Sequence, residues 1–190
     1  MLGHISPRHR AAFTLAEILV MLAILAVLGG IIYPSVVGQL RTGQSTAIAN
    51  QLDNLRLASS NYRQNVGRYP DLLLQLTVQP TAGAFDACGT VLPAANIAAW
   101  RGPYLNQTIL GNIPVGDATV QNNVTRNPAT TAGGQVGALL ITVLTVDSVN
   151  AADVEQQFDG LPLNYATGSV LWVPAGTSGT LTFQIPIRGC

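Results

Sequence analysis

The chain has 190 residues, 48% of them hydrophobic and only 9% charged, where ordinary soluble domains carry about 25% charged residues. Formal net charge is zero, lysine is absent, and no basic cluster occurs beyond the first ten residues, so duplex nucleic-acid binding, which leans on phosphate neutralisation, finds no support. The only histidines are His4 and His9; loss of that segment would leave nothing for Ser-His, Cys-His, histidine-metal or Schiff-base chemistry, and an enzyme is not expected.

Residues 1–12 carry Arg8 and Arg10 and no acid, and from Ile18 to Val37 there is no charge. That run matches the roughly 20 apolar residues a helix needs to cross the hydrocarbon core. Arginines before the run place the N-terminus in the cytoplasm and the chain beyond Val37 outside. A secretory signal peptide is the alternative, but its apolar core is shorter and its small-residue cleavage site comes after the core. Here the small pair Ala11-Ala12 comes before it. Glu17 stands at the edge of the span. A carboxylate at membrane depth costs a few kcal/mol, so either Glu17 lies at headgroup level or it has a partner.

Ala12-Phe13-Thr14-Leu15-Ala16-Glu17-Ile18-Leu19-Val20 resembles the class III signal of type IV pilins and pseudopilins. In that family a short basic leader and a small residue precede Phe-Thr-Leu-x-Glu and a long apolar helix. The resemblance implies that a prepilin peptidase cuts between Ala12 and Phe13 and methylates the new amine of Phe13. It implies that Glu17 neutralises the N-terminal amine of a neighbouring subunit, since a buried carboxylate and ammonium are tolerable together and costly apart. Pro34 matches a proline of pilin helices and, with Gly29 and Gly30, marks a kink or a locally melted stretch. Two departures stand out: Ala12 replaces the usual glycine, and Ala16 replaces a bulky aliphatic residue.

Beyond the span the helix turns amphipathic, with Ile48, Leu52, Leu55 and Tyr62 on one face, and Gly67 and Pro70 stop it. The expected fold is α+β. A helix over residues 13–65, membrane anchor and filament core to about residue 37 and amphipathic spine thereafter, packs on an antiparallel β-rich head of residues 66–190. Residues 138–146, 169–173 and 180–187 read as strands, with Gly176-Thr177-Ser178-Gly179 as the turn between the last two. Asn150–Phe158 reads as a short helix with Asn150 as cap, Asp153 at its start and Gly160 past its end. Residues 77–135 read as mostly loop with short pieces of structure. Within them Trp100-Arg101-Gly102-Pro103-Tyr104-Leu105 resembles a segment of the major pseudopilins of type II secretion, or is simply a Gly-Pro turn between aromatic anchors.

Cys88 and Cys190 are the two cysteines. Outside the cytoplasm a disulfide is the default, with two unpaired thiols as the alternative; closing a loop of about 100 residues is worth roughly 4–5 kcal/mol in the chain-entropy model. Asp147, Asp153, Glu155 and Asp159 form the acid-rich stretch. Calcium favours several carboxylates with carbonyls, but these spacings match no EF-hand loop. They remain weak calcium candidates, with Asp117 weaker still, and no other cofactor is expected.

The expected function is therefore structural. The chain is stored as a single-pass inner-membrane protein with its N-terminus inside, then assembled into a homo-oligomeric periplasmic or extracellular filament. Its partners are prepilin peptidase, an inner-membrane assembly platform and other minor pilins. A type II secretion pseudopilin and a minor tip pilin that grips DNA or a surface are the alternatives.

Overall fold

The computed structural model describes residues 14–127 and 136–188. In chain order they form α1 (Leu15–Val66), a 3-10 turn (Leu73–Leu76), α2 (Ala94–Ala98), β1 (Ile113–Val115), β2 (Ala118–Asn127), β3 (Val136–Asp147), α3 (Ser148–Phe158), β4 (Val170–Ala175) and β5 (Ser178–Arg188). The fold is α+β, with one five-stranded sheet in the order β1-β2-β3-β5-β4, antiparallel at every pairing. Two compact units divide the chain inside α1, Met1–Leu40 and Arg41–Cys190.

Within the first unit, α1 starts at a built cap: the Glu17 N–H donates to Thr14 Oγ1 at 3.2 Å. Large aliphatic side chains then point outward all round the helix, Leu15 through Ile32. An apolar surface open on every side belongs to a helix whose solvent is not water. An 18-residue window of mean hydropathy 2.7, none of it buried, makes α1 long and apolar enough to cross a membrane.

In the second unit α1 changes face by face. Ile48, Leu52, Leu55 and Tyr62 are fully buried, as their spacing predicts, and Ala58 and Val66 extend the stripe. They form one contiguous core with Leu139, Ile141 and Val143 of β3 and Leu181, Phe183, Ile185 and Ile187 of β5, the inward half of a period-two alternation. Gly67, at φ +76°, ends the helix as expected, and its N–H donates to the Arg63 carbonyl at 2.8 Å. The left-handed conformation is cheap only for glycine.

β3 keeps its alternation only as far as Val143. The pairing with β5 shifts between Val143 and Val146, and Thr145 sits at φ +59°. This bulge turns Val146 rather than Thr145 into the core, and Thr145 Oγ1 instead donates to the Asp117 carbonyl at 2.9 Å. Pro186 lies in β5 where β4 no longer pairs with it. The Gln184 N–H points to that side, bonding Ser169 O at 2.7 Å, so by the two-residue period Pro186 puts its missing N–H on the open edge and blunts it against strand addition.

Of residues 77–135, those described, up to residue 127, are mostly loop and turn, as expected, and the pieces of structure among them are α2, β1 and the ten-residue β2. Only Ala118, Val120 and Val124 of β2 face the core, because the ladder with β3 slips between Val120 and Val124. The intervening Gln121-Asn122-Asn123 looks like a turn but is a bulge that docks the 3-10 segment, with Asn122 Oδ1 accepting from the Leu74 N–H at 2.9 Å. The cap of α3 is Asp147, not Asn150. Asp147 Oδ1 accepts from the Asn150 N–H at 2.8 Å, as a capping carboxylate should, and Asp153 therefore lies in the helix middle. Gly160 does lie just past its end.

Candidate functional site

The residues singled out by the sequence fall at four separate places. The first is the start of α1. Ala12 and Phe13 lie outside the described residues. Glu17 is exposed in the first helical turn, where the unpaired amides of the helix end favour a negative charge. Thr14-Leu15-Ala16-Glu17 also has the form of a capping box, Ser/Thr-x-x-Glu, and the bond from the Glu17 amide to Thr14 Oγ1 is one half of it. Thr14 is a motif residue to which the resemblance assigns no role. The Thr-to-Glu spacing is the signal that identifies it.

The second is the stretch around Gly29, Gly30 and Pro34, which is helical without interruption. Pro34 has no N–H to offer the carbonyl of Gly30, four residues back, so the helix is at its weakest there. Two glycines each add about 1 kcal/mol of helix penalty relative to alanine.

The third is the loop bearing Cys88, which is disulfide-bonded; Cys190 lies outside the described residues. The loop is organised by a carboxylate that composition and periodicity do not mark. Asp86 is 1% exposed, and its Oδ1 accepts from the N–H groups of Cys88 at 3.0 Å and Thr90 at 2.8 Å. Its Oδ2 lies 3.6 Å from Arg68 Nη1. That distance is an ion pair, too long for a hydrogen bond. Asp86 reaches further: burial first, and then the Asp86 charge, raises the pKa of the Asp71 carboxyl. Burial also pushes the Tyr62 phenol well above its ordinary range, with Tyr104 and Asp86 adding to it.

The fourth is the acid-rich stretch, and its members do not converge. Asp147 is spent on Asn150, taking its N–H and its side-chain amide. Asp159 takes the N–H groups of Ser169 and Val170, both at 2.8 Å. Glu155 is buried and accepts from the Asn164 N–H, and Asp153 is exposed on α3. Asp117 stands at the β1–β2 turn, away from all four in the chain. Among the described residues no three His, Cys, Asp or Glu side chains gather as metal ligands do. Asp147 caps α3, and Glu155 and Asp159 pin the segment after it.

Trp100–Leu105 forms a clamp within the second unit. Trp100 Nε1 donates to Gln75 O at 2.9 Å, and the Tyr104 ring meets the edges of both Trp100 and Tyr62. A Cβ on Gly102 would stand 2.3 Å from the Trp100 ring. Gly102→Ala is thus expected to cost about 1–3 kcal/mol through overpacking, read as a lowered urea midpoint of the detergent-solubilised chain.

The prokaryotic N-terminal methylation motif matches residues 7–33, which include the basic leader residues, Glu17, Gly29 and Gly30. The chain thus carries an N-terminal methylation motif, the class III signal found in type IV pilins and pseudopilins, and the match is confined to this N-terminal segment. No curated protein matches the chain, and no solved structure matches it.

Proposed function

We propose that this chain is a structural subunit of a type IV pilus or pilus-like filament and has no catalytic task. The observation that carries the reading is the continuity of the matched signal with an apolar helix exposed on every side. Such a surface calls for lipid before assembly and for other apolar helices afterwards. Prepilin peptidase removes residues 1–12 and methylates Phe13, and the chain waits in the inner membrane with its N-terminus inside. An assembly platform then draws it out, with Glu17 docking against the amine of a neighbour. The weak helical stretch at Gly29, Gly30 and Pro34 eases that extraction, and a bond from Cys88 to Cys190 ties down the end of the head.

A pseudopilin of type II secretion is the second reading. It is favoured by the Trp100–Leu105 segment, which resembles the major pseudopilins and is held in place by ring contacts and hydrogen bonds.

Intact-mass and N-terminal analysis of sheared surface protein against the membrane fraction tests both. Abundant sheared protein starting at N-methylated Phe13 is the expected result for a pilus. The same mature form confined to membranes marks the pseudopilin. A chain that still starts at Met1, or is cut after the apolar span, overturns the proposal. The mass gained on reduction reports the disulfide in the same spectra.

A further inference from the structure

β4 pairs with β5 only as far as Phe183. Beyond the bond from the Gln184 N–H to Ser169 O, no described strand lies on that side of β5, and the seam between α1 and the end of β5 stays open. It holds a hollow of about 460 Å³, which is the size of a small-molecule site. Arg56, Ser59, Ser60, Arg63 and Gln64 line it from α1, and their spacing puts them on one face of the helix. Tyr69, Ile185 and Pro186 supply the apolar part of the lining.

In a chain with only 9% charged residues this is a concentrated positive site. Among the described residues that line it, two carry guanidinium groups and none is acidic. Asp53, one turn before Arg56, reaches Arg56 Nη1 only at 4.0 Å, with both side chains more than half exposed. Such a pair is worth little and yields to a better-placed anion. The Arg63 guanidinium lies over the Tyr69 ring, 4.7 Å from its centroid, which holds the planar fork at the hollow. A guanidinium fork suits a carboxylate or phosphate, taking two oxygens at once.

The uncharged groups narrow the ligand. The Ser59 and Ser60 hydroxyls and the Gln64 amide each both donate and accept. That suits ligand hydroxyls, which also do both, whereas a bare phosphate asks for donors alone. A peptide meets such groups only with one N–H and one C=O per residue, and a sugar ring sets several hydroxyls side by side. Seven residues separate Arg56 from Arg63, about 10 Å along the helix, so the site suits acidic groups spaced along a short chain.

We propose that this hollow binds a short acidic saccharide. Arg56 and Arg63 hold its carboxylates, Ser59, Ser60 and Gln64 its hydroxyls, and one ring face lies against Pro186, the exposed member of the apolar lining. The site lies within the second unit and does not depend on the filament reading.

The test is calorimetric titration of the detergent-solubilised full chain with trigalacturonate, its methyl ester, triglutamate and inorganic phosphate. Saturable binding of trigalacturonate is expected, with the other three at least about tenfold weaker. Arg56→Gln, which leaves the contact of Arg63 with Tyr69 in place, should weaken binding about tenfold, or roughly 1.4 kcal/mol, at an unchanged urea midpoint. Adding Arg63→Gln should weaken it further. Absence of saturable binding, or wild-type binding by the double variant, overturns the site. Equal binding of the methyl ester removes the arginines from it, and equal binding of triglutamate or phosphate overturns the saccharide.

Discussion

Glu17→Gln is expected to leave leader removal and membrane insertion intact while cutting recovered filament by at least about tenfold. The substitution separates the docking role proposed for Glu17 from its place in the helix start. Thr14 Oγ1 accepts from the Glu17 amide, and Thr-x-x-Glu is the pattern in which a glutamate also supports the helix start. Glutamine serves that pattern as well as glutamate does, so the variant keeps the helix start and loses only the charge. If the carboxylate docks against a neighbour's ammonium in an apolar surrounding, its loss leaves a buried charge alone, which costs about 3–5 kcal/mol. That is well beyond the roughly 1.4 kcal/mol that makes a tenfold effect.

Glu17→Ala is the companion measurement. Alanine removes both roles, so wild-type assembly with glutamine and failure with alanine would assign Glu17 to the helix start and sink the charge pair. Thr14→Ala completes the set. It should cost the cap about 1 kcal/mol, which weakens the helix start without touching the charge, and its filament yield should stay far above that of Glu17→Gln.

The legible parts of this chain are those where one physical demand dominates. An uncharged run of 20 residues after two arginines admits few readings, and the spine stripe Ile48, Leu52, Leu55, Tyr62 is buried as its spacing requires. β3, β4 and β5 extend only a residue or two past their expected ends, because β-branched runs flanked by turn residues have one comfortable conformation. β2 is not legible. Across its bulge, Asn122 Oδ1 accepts from the Leu74 N–H and the Asn122 N–H donates to Asn112 Oδ1, a demand set by tertiary contacts rather than by periodicity. Asn150 reads as a cap because Asn caps well, but Asp147 stands three residues earlier and carries a charge to place at the helix start. The candidate site divides the same way: Glu17 is conspicuous as a charge in an apolar run, whereas Asp86 is one acid in a loop.

Asp86→Ala is expected to lower stability by about 2–4 kcal/mol, and the source of that loss can be apportioned. Asp86-Ala87-Cys88-Gly89 is a β-turn whose Gly89 N–H donates to the Asp86 carbonyl at 2.9 Å. Asp at the first position and Gly at the fourth is the composition such a turn prefers, and it is the signal that points to Asp86. Truncation orphans the N–H groups of Cys88 and Thr90, at about 1–3 kcal/mol for each donor left buried. The ion pair adds little, since Arg68 is 38% exposed and a half-solvated guanidinium is repaid by water. Asp86→Asn keeps an oxygen acceptor for both N–H groups and gives up only the charge, so its loss should stay near 1 kcal/mol. Urea unfolding of the solubilised full chain, with the disulfide intact, separates the two variants. Equal losses for alanine and asparagine would mean that the charge facing Arg68, rather than the turn amides, holds the loop of Cys88.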